Sequence, residues 1–210
     1  MRPIFITGIG TDIGKTIVSA IVTEALNADY WKPIQAGFSE GTDNLRVKNL
    51  LSNSTSEVHD ELYKLKMPAS PHIAAREENI EIDLSKIVNH QSSIVNRQLI
   101  IEGAGGIMVP LNENEFVTTL IKMLDAKVIL VSRNYLGSIN HSLLTAEICR
   151  AKNIDVLGWI FNDQYLHYED EIADWSGFPK IASVPFAERV DKDFVRKQAA
   201  AIQQKLKSIL

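Results

Sequence analysis

The segment that decides the fold is Ile4-Phe5-Ile6-Thr7-Gly8-Ile9-Gly10-Thr11-Asp12-Ile13-Gly14-Lys15-Thr16, which runs into the amphipathic stretch 17–26. An apolar strand, a glycine-rich turn, a lysine with a hydroxyl residue and a helix, in this order, are typical of a phosphate-binding loop. In such a loop, backbone N–H groups and the helix N-terminus face an anion. We therefore expect Lys15 to reach the terminal phosphates of a nucleotide, and Thr16 to hold a magnesium ion that bridges them.

The glycine spacing departs from the standard phosphate-binding loop. Counting back from Gly14, the standard spacing places its first glycine at Ile9, and the chain instead has Gly8 and Gly10 on either side. The loop is thus a variant that is longer by one residue from Gly8. A glycine turn that only joins a strand to a helix is the alternative. The position of Gly-Lys-Thr between a strand and a helix favours phosphate binding.

Composition is that of an ordinary globular protein. The chain has 210 residues, of which 45% are hydrophobic and 23% charged, and this length fits one domain with a sizeable core. We therefore expect a single domain, residues 1–210. The formal net charge of −4 offers a nucleic-acid partner no electrostatic support.

Two further features bear on the compartment. No apolar run approaches the ~20 residues that a membrane span requires, and the first residues do not have the pattern of an export signal. The single cysteine, Cys149, cannot form an internal disulfide and favours a reducing environment. The sequence therefore predicts a cytoplasmic protein without a membrane partner.

Strand patterns alternate with helix patterns from one end of the chain to the other. The central strand patterns are continuously apolar, which predicts an α/β fold with a doubly wound, mainly parallel sheet and helices on both faces. Segment 52–71 is expected to be a surface loop because serine, asparagine and threonine cluster there. The expected strands are 4–7, 30–35, 99–102, 127–132, 154–161 and 180–184; the expected helices are 15–26, 45–51, 83–95, 116–124, 138–152, 168–175 and 191–210.

Two charged residues, Glu102 and Lys32, fall where strands of such a sheet end, which is where ligands bind, and a third, Asp43, lies in the loop after the second strand. Glu102 ends an apolar strand and precedes a glycine-rich turn, so it is a candidate magnesium ligand; a loop or helix-capping carboxylate is the alternative. Asp43 is either a second metal ligand or a helix N-cap. Lys32 beside Pro33 either faces the site or is a solvated lysine of an edge strand.

Two of the five histidines are candidate zinc ligands, and neither indicates a zinc site. His72 and His141 have no cysteine, histidine or carboxylate at metal-ligand spacing. We expect both to make hydrogen bonds.

In combination these motifs resemble the dethiobiotin synthetase family, biotin-pathway enzymes of the phosphate-loop NTPase class. The lengthened glycine loop is a family feature. The matching segments follow the family's order over almost the whole chain: Thr7-Gly8, Thr11-Asp12-Ile13-Gly14-Lys15-Thr16, Lys32-Pro33-Ile34-Gln35, Ser70-Pro71-His72, Glu102-Gly103-Ala104-Gly105-Gly106, Leu136-Gly137-Ser138-Ile139-Asn140-His141, Gly158-Trp159-Ile160-Phe161-Asn162-Asp163 and Val184-Pro185.

The resemblance implies an ATP-dependent ring closure. The substrates would be 7,8-diaminononanoate, CO2 and ATP, with Mg²⁺ as the cofactor. One amine would take up CO2 as a carbamate, and the carbamate oxygen would attack the γ-phosphate to give a carbamic–phosphoric anhydride. The second amine would then close the ureido ring, giving dethiobiotin, ADP and phosphate.

The resemblance also implies residue roles. Lys32 and Lys15 would be catalytic, with Thr11 facing the carbamate, and Thr16, Asp43 and Glu102 would hold the metal. The diamine would contact Ala36, and its carboxylate tail would meet Gly137, Ile139 and Asn140 across a homodimer interface. The remaining ATP contacts would be Asp12, Ile13, Gly14, Ile17, Gly103, Ala104, Gly105, Asn162, Asp163, Pro185, Phe186 and Ala187, with Asn162 reading the adenine edge.

The chain departs from the family pattern at two positions. Ala36 stands where a hydroxyl residue is common, so a side-chain hydrogen bond to the diamine is missing or comes from elsewhere. Asp12 stands where glutamate is frequent, which shortens the side chain by one methylene.

Two other functions are compatible with a phosphate-binding loop. One is an ATP switch similar to the partition and septum-positioning ATPases, although these typically carry a second lysine early in the loop, where this chain has Gly8, Ile9 and Gly10. The other is an amidotransferase-type synthetase acting on a corrin precursor. The absence of a glutaminase domain with its cysteine nucleophile weighs against it.

Overall fold

The computed structural model describes residues 1–94, 97–163 and 165–210. Its strands are β1 Ile4–Gly8, β2 Asp29–Trp31, β3 Ile34–Ala36, β4 Val58–His59, β5 Tyr63–Leu65, β6 Leu99–Glu102, β7 Lys127–Arg133, β8 Val156–Asn162 and β9 Lys180–Val184. Its helices are α1 Lys15–Leu26, α2 Asp43–Leu50, α3 Pro71–Glu77, α4 Leu84–Ile94, α5 Val117–Met123, α6 Ser138–Ala151, α7 Glu169–Ser176 and α8 Lys192–Ile209.

Seven strands form one parallel sheet in the order β4-β2-β6-β1-β7-β8-β9. The chain starts in the middle at β1, passes to β2 and the edge strand β4, and returns to β6 beside β1. It then adds β7, β8 and β9 toward the opposite edge, which completes a doubly wound arrangement. The first strand shows why both faces are covered: Phe5 packs into one hydrophobic cluster while Ile4 and Ile6 pack into the other. Alternation of side chains along a strand produces this division.

Helices cover both faces of this sheet. Residues of α1, α2 and α8 join one hydrophobic cluster, among them Val18, Val47 and Val195. Residues of α3 to α7 join the other cluster, among them Leu84 and Ile172. The predicted fold class is therefore confirmed.

The single strand predicted over 30–35 is wrong. The chain leaves the main sheet after Trp31, and β3 pairs instead with β5 in a separate two-stranded sheet. Pro33 explains the break, because it has no N–H to donate to a ladder. Its carbonyl accepts from the backbone N–H groups of Leu62 and Tyr63 as the chain enters the smaller sheet.

The surface loop predicted over 52–71 is also only partly correct, because β4 and β5 lie within it. Both strands are short, and a side chain of α2 contacts the first of them: Asn44 Nδ2 donates to the carbonyl of His59 in β4 at 2.8 Å. Such pairing leaves little hydrophobic periodicity for a sequence pattern to detect. The helix predicted over 83–95 is present up to Ile94, and Val95 lies outside the described residues.

None of the helices in the described part of the chain combines the length and the apolarity that crossing a bilayer requires.

Candidate active site

The expected site lies where β1, β2 and β6 end, around a cavity of about 810 Å³. It combines the glycine loop, the start of α1, the turn after β2 and the start of α2. The residues around it are Thr11, Asp12, Gly14, Lys15, Thr16, Ile17, Lys32, Gln35, Ala36, Asp43, Arg46, Pro68, Ala69, Ser70, Pro71, Glu102, Ala104, Gly105 and Val109.

The glycine loop has the backbone conformation of an anion cradle. Gly14 precedes α1 with φ 86°, in the left-handed region, and Asp12 is also left-handed with φ 56°. Gly8 allows a close approach to β7, since a Cβ at that position would lie 2.1 Å from the carbonyl oxygen of Val131. Lys15 lies over this loop and donates from Nζ to the carbonyl of Gly10 at 2.6 Å.

A cluster of one lysine, two carboxylates and a hydroxyl lies beside the loop. Thr16 Oγ1 donates to Asp43 Oδ1 at 2.9 Å and lies 3.0 Å from Glu102 Oε1. Lys32 Nζ forms ion pairs with Asp43 and with Glu102, the latter at 3.2 Å. The other oxygen of Glu102 accepts a hydrogen bond from the hydroxyl of Tyr30 at 2.8 Å.

These contacts decide between alternatives that the sequence left open. Asp43 is not the N-cap of α2, because Thr42 occupies that position and accepts from Leu45 N at 3.2 Å. Lys32 is not a solvated edge lysine. It is 7% exposed, and the strand before it lies between β4 and β6 inside the sheet.

Burial and charge set the protonation of the two lysines. Burial lowers the pKa of Lys15 from 10.5 to about 8. Burial also opposes the charge on Lys32, but Glu102 and Asp43 together outweigh it and raise the Lys32 pKa. Burial alone would raise the pKa of Asp43, and the ammonium of Lys32 more than reverses this and lowers it. Lys32 therefore stays protonated, whereas Lys15 loses its proton in mildly alkaline solution.

The oxygen atoms of Thr16, Asp43 and Glu102 form a donor set that fits magnesium. Magnesium prefers hard oxygen ligands and is usually held by one or two carboxylates together with water and substrate phosphates. The hydroxyl of Thr16 contacts an oxygen of each carboxylate, so the three groups already converge on one place.

The glycine turn after β6 continues the same wall. Ala104 and Gly105 line the cavity. Gly103 is buried, and a Cβ on it would lie 2.6 Å from the ring of Phe5. This turn therefore needs glycine for packing as well as for ligand approach.

Several predicted nucleotide-site residues lie outside the cavity lining. Asn162 Nδ2 donates to the carbonyl of Ile13 at 2.6 Å, so its amide contacts the backbone of the glycine loop. Asp163 pairs with Arg133 at 2.6 Å. After β9, Phe186 is 71% exposed and its neighbours Pro185 and Ala187 are half-buried.

The predicted substrate-tail residues begin another helix. Gly137 caps α6 with φ 102°, Ile139 is half-buried and Asn140 is exposed. None of the three lines the cavity in the described part of one chain.

The two histidines make the hydrogen bonds expected of them. His72 Nδ1 lies 3.1 Å from Ser70 Oγ, and His141 Nδ1 lies 2.8 Å from the hydroxyl of Tyr135.

Sequence reasoning missed three residues that shape the site. Tyr30 contacts Glu102, Asn44 accepts the backbone N–H of Lys32 at 3.1 Å, and Gln35 accepts the backbone N–H of Asp43 at 3.2 Å. Tyr30 stands two positions before Lys32, the spacing of side chains on one face of a strand. That spacing was the available signal; the other two contacts depend on the turn after β2, which no pattern describes.

Comparison with known proteins identifies relatives of this chain. Residues 2–193 match a family described as an AAA domain. The chain is 46% identical to the ATP-dependent dethiobiotin synthetase BioD of Cytophaga hutchinsonii, over 96% of this chain and 97% of that protein. It is 44% identical to the protein of the same name from Christiangramia forsetii, over 96% of each chain.

Solved structures show the same fold at low identity. The cell division ATPase MinD of Pyrococcus furiosus superposes with a TM-score of 0.61 at 14% identity, covering 98% of this chain and 100% of that one. A ParA family ATPase from Chlorobium tepidum superposes with a TM-score of 0.55 at 13% identity, covering 99% and 93%. These likenesses concern the fold, whereas the identities to the synthetases extend over nearly the full length of both sequences. The chain belongs to the family of ATP-dependent dethiobiotin synthetases.

Proposed function

We propose that the chain converts 7,8-diaminononanoate, CO2 and ATP into dethiobiotin, ADP and phosphate. The observation that carries this proposal is that Lys15 and Lys32 line the same cavity as Thr16, Asp43 and Glu102. A carbamate and a triphosphate are both anions, so a reaction between them requires concentrated positive charge. Lys15, the first residue of α1, and Lys32, which directly follows β2, are both buried and contribute to that charge.

The reaction proceeds in three steps. One amine of the diamine adds to CO2 and loses a proton, which gives the carbamate. A carbamate oxygen attacks the γ-phosphorus of ATP and ADP leaves, so that the carbamate becomes a mixed anhydride. The second amine attacks the anhydride carbon and loses a proton, phosphate leaves as hydrogen phosphate with that proton, and the ureido ring closes.

Lys32 and Lys15 act by electrostatic stabilisation in this scheme. Lys32 is held as a cation by Asp43 and Glu102, so it stabilises negative charge on the carbamate and the transferring phosphoryl group and does not serve as a base. Lys15 lies over the loop that would receive the phosphates. Thr11 lines the same cavity and would face the carbamate.

Thr16, Asp43 and Glu102 would hold Mg²⁺ in the working enzyme. When bound, Mg²⁺ neutralises charge on the β- and γ-phosphates. Lys32 also contacts both carboxylates, which keeps the two negative groups together before the nucleotide arrives.

Substrate contacts around Ala36 need another source of hydroxyl groups. Ala36 cannot donate or accept through its side chain, but Thr11 and Ser70 line the same cavity. We propose that these hydroxyls replace the contact that the family commonly makes at position 36.

The remaining assignments belong to the same proposal. The adenine would lie near Asn162, Asp163 and the 185–187 turn, where Asn162 contacts the glycine loop. The 137–140 turn would bind the carboxylate tail from the other subunit of a homodimer, which agrees with its position outside the cavity of its own chain. We further propose one domain over 1–210, because the main sheet takes its strands from both halves of the sequence. The single cysteine, Cys149, supports a cytoplasmic location because it favours a reducing environment.

The test is to supply diamine, bicarbonate and MgATP and to measure dethiobiotin and ADP. We expect equal amounts of both products, and ADP formation that depends on the diamine. Slow ATP hydrolysis that ignores the diamine and responds to lipid or DNA would contradict the proposal and favour an ATP switch. Sedimentation of the chain tests the dimer independently.

A further inference from the structure

Tyr30 is a fully buried tyrosine whose hydroxyl lies at the edge of the site. In the ladder between β2 and β6, Tyr30 lies opposite Ile100, and both side chains pack into the cluster beneath α1. Glu102 follows Ile100 by two positions, so its side chain extends from the same face. The Tyr30 hydroxyl spans this offset and donates to Glu102 Oε2 at 2.8 Å.

Because the Tyr30 hydroxyl binds one oxygen of the Glu102 carboxylate, the two oxygens have different partners. Oε1 lies 3.0 Å from Thr16 Oγ1 and 3.2 Å from Lys32 Nζ, whereas Oε2 accepts from Tyr30. The carboxylate is 1% exposed, so an oxygen that lost its donor would lose a hydrogen bond that water does not readily replace. The phenol therefore fixes the carboxylate rotation that keeps Oε1 directed toward Thr16.

A structural role alone would not require this hydroxyl. The ring fills space in the core, and phenylalanine would fill it as well without bringing an oxygen into an apolar cluster. The hydrogen-bond partner of the Tyr30 hydroxyl among the described residues is one of the expected metal ligands.

We infer that Tyr30 is a positioning residue for the magnesium–nucleotide site, acting through Glu102 to hold the carboxylate in the orientation that binds the metal. The inference rests on the proposed function of Glu102 as a magnesium ligand. Partners of metal ligands typically matter by 10- to 100-fold in metal affinity or activity.

The test compares Tyr30→Phe with Tyr63→Phe. The Tyr63→Phe variant also removes a hydroxyl that makes hydrogen bonds. The Tyr63 hydroxyl contacts the backbone of Asp83, and neither residue lines the cavity. In Tyr30→Phe we expect the Mg²⁺ concentration for half-maximal dethiobiotin formation, at saturating ATP, to rise about 10-fold or more. Tyr63→Phe should keep the wild-type value.

A binding measurement gives a second readout that does not depend on turnover. We expect Tyr30→Phe to show a smaller rise in melting temperature on addition of MgADP than the wild type, and the same response to ADP with a chelator. A purely structural tyrosine would lower the melting temperature of the free protein and leave the magnesium-dependent part of the response unchanged. If Tyr30→Phe melts near the temperature of the dethiobiotin assay, that assay is run at a lower temperature for the wild type and both variants.

Failure of this inference is distinguishable from failure of the proposed function. If the wild type makes no dethiobiotin, the proposed function falls, and the MgADP melting experiment still tests Tyr30. If the wild type makes dethiobiotin and Tyr30→Phe keeps both its magnesium requirement and its MgADP response, the positioning role is overturned while the function stands.

Discussion

Lys32 and Glu102 are 70 positions apart in the sequence, and Lys32 Nζ lies 3.2 Å from Glu102 Oε1. They meet because β2 and β6 are neighbours in the sheet and each residue directly follows or ends its strand. The carboxylates of Glu102 and Asp43 raise the pKa of Lys32 and so keep it charged in a buried position. A lysine held in this way can attract anions throughout a reaction but cannot easily give up its proton.

The first prediction concerns the loss of this cation. Lys32→Ala should raise the activation barrier by more than the ~4 kcal/mol that one strong electrostatic contact contributes, so kcat should fall more than about a thousandfold. Steady-state dethiobiotin formation measures it, with Lys122→Ala on the exposed side of α5 as the matched control. Turnover close to that of the wild type would remove Lys32 from the mechanism.

The second prediction concerns pH and Lys15. Because burial lowers the Lys15 pKa to about 8, the free enzyme loses this charge as the pH rises through that value. A polyanionic nucleotide binds the protonated form better, so the Kd for ATP should be flat below pH 8 and rise above it, by up to about tenfold per pH unit. Calorimetric titration between pH 7 and 9.5 measures the profile.

Lys15→Arg is the control for the pH profile, since a guanidinium stays protonated throughout this range. We expect the alkaline rise to disappear in this variant, whatever its absolute affinity. An inflection of the same size in both proteins would assign the titration to another group.

The centre of the main sheet was predictable because β1, β6 and β7 show mainly apolar runs, the composition that burial on both faces requires. Glu102 was found because it ends the apolar run of β6. The glycine loop was predictable for a related reason, since positive φ at Gly14 restricts the residue type.

The parts that were missed depend on contacts between distant segments. Strands β4 and β5 are two and three residues long. The side chain of Asn44 contacts β4, and β5 depends on its pairing with β3. The break at Pro33 sends β3 into a second sheet because β5 is available as a partner, which the local sequence does not show. Tyr30 was missed in the site for the same reason, as its partner Glu102 is 72 positions away.

The third prediction concerns nucleotide selectivity. Asn162 is expected to read adenine, and its Nδ2 also donates to the carbonyl of Ile13. Asn162→Ala should therefore weaken ATP binding and also reduce the preference for ATP over GTP. Competition binding of the two nucleotides measures the ratio. Equal weakening of ATP and GTP would show that Asn162 supports the loop without contacting the base.

The fourth prediction concerns Gly14, which has φ 86° and faces Asn162 across the loop. A Cβ there would lie 2.4 Å from Asn162 Nδ2, so Gly14→Ala adds a clash to the ~1–3 kcal/mol of backbone strain expected at positive φ. We expect ATP affinity to fall about tenfold or more in equilibrium binding.

Gly177 supplies the control: it has φ 67° at the end of α7, and an added Cβ meets nothing within 4 Å. Gly177→Ala should lower the melting temperature and leave ATP affinity unchanged; a comparable loss of affinity in both variants would attribute the effect to general destabilisation.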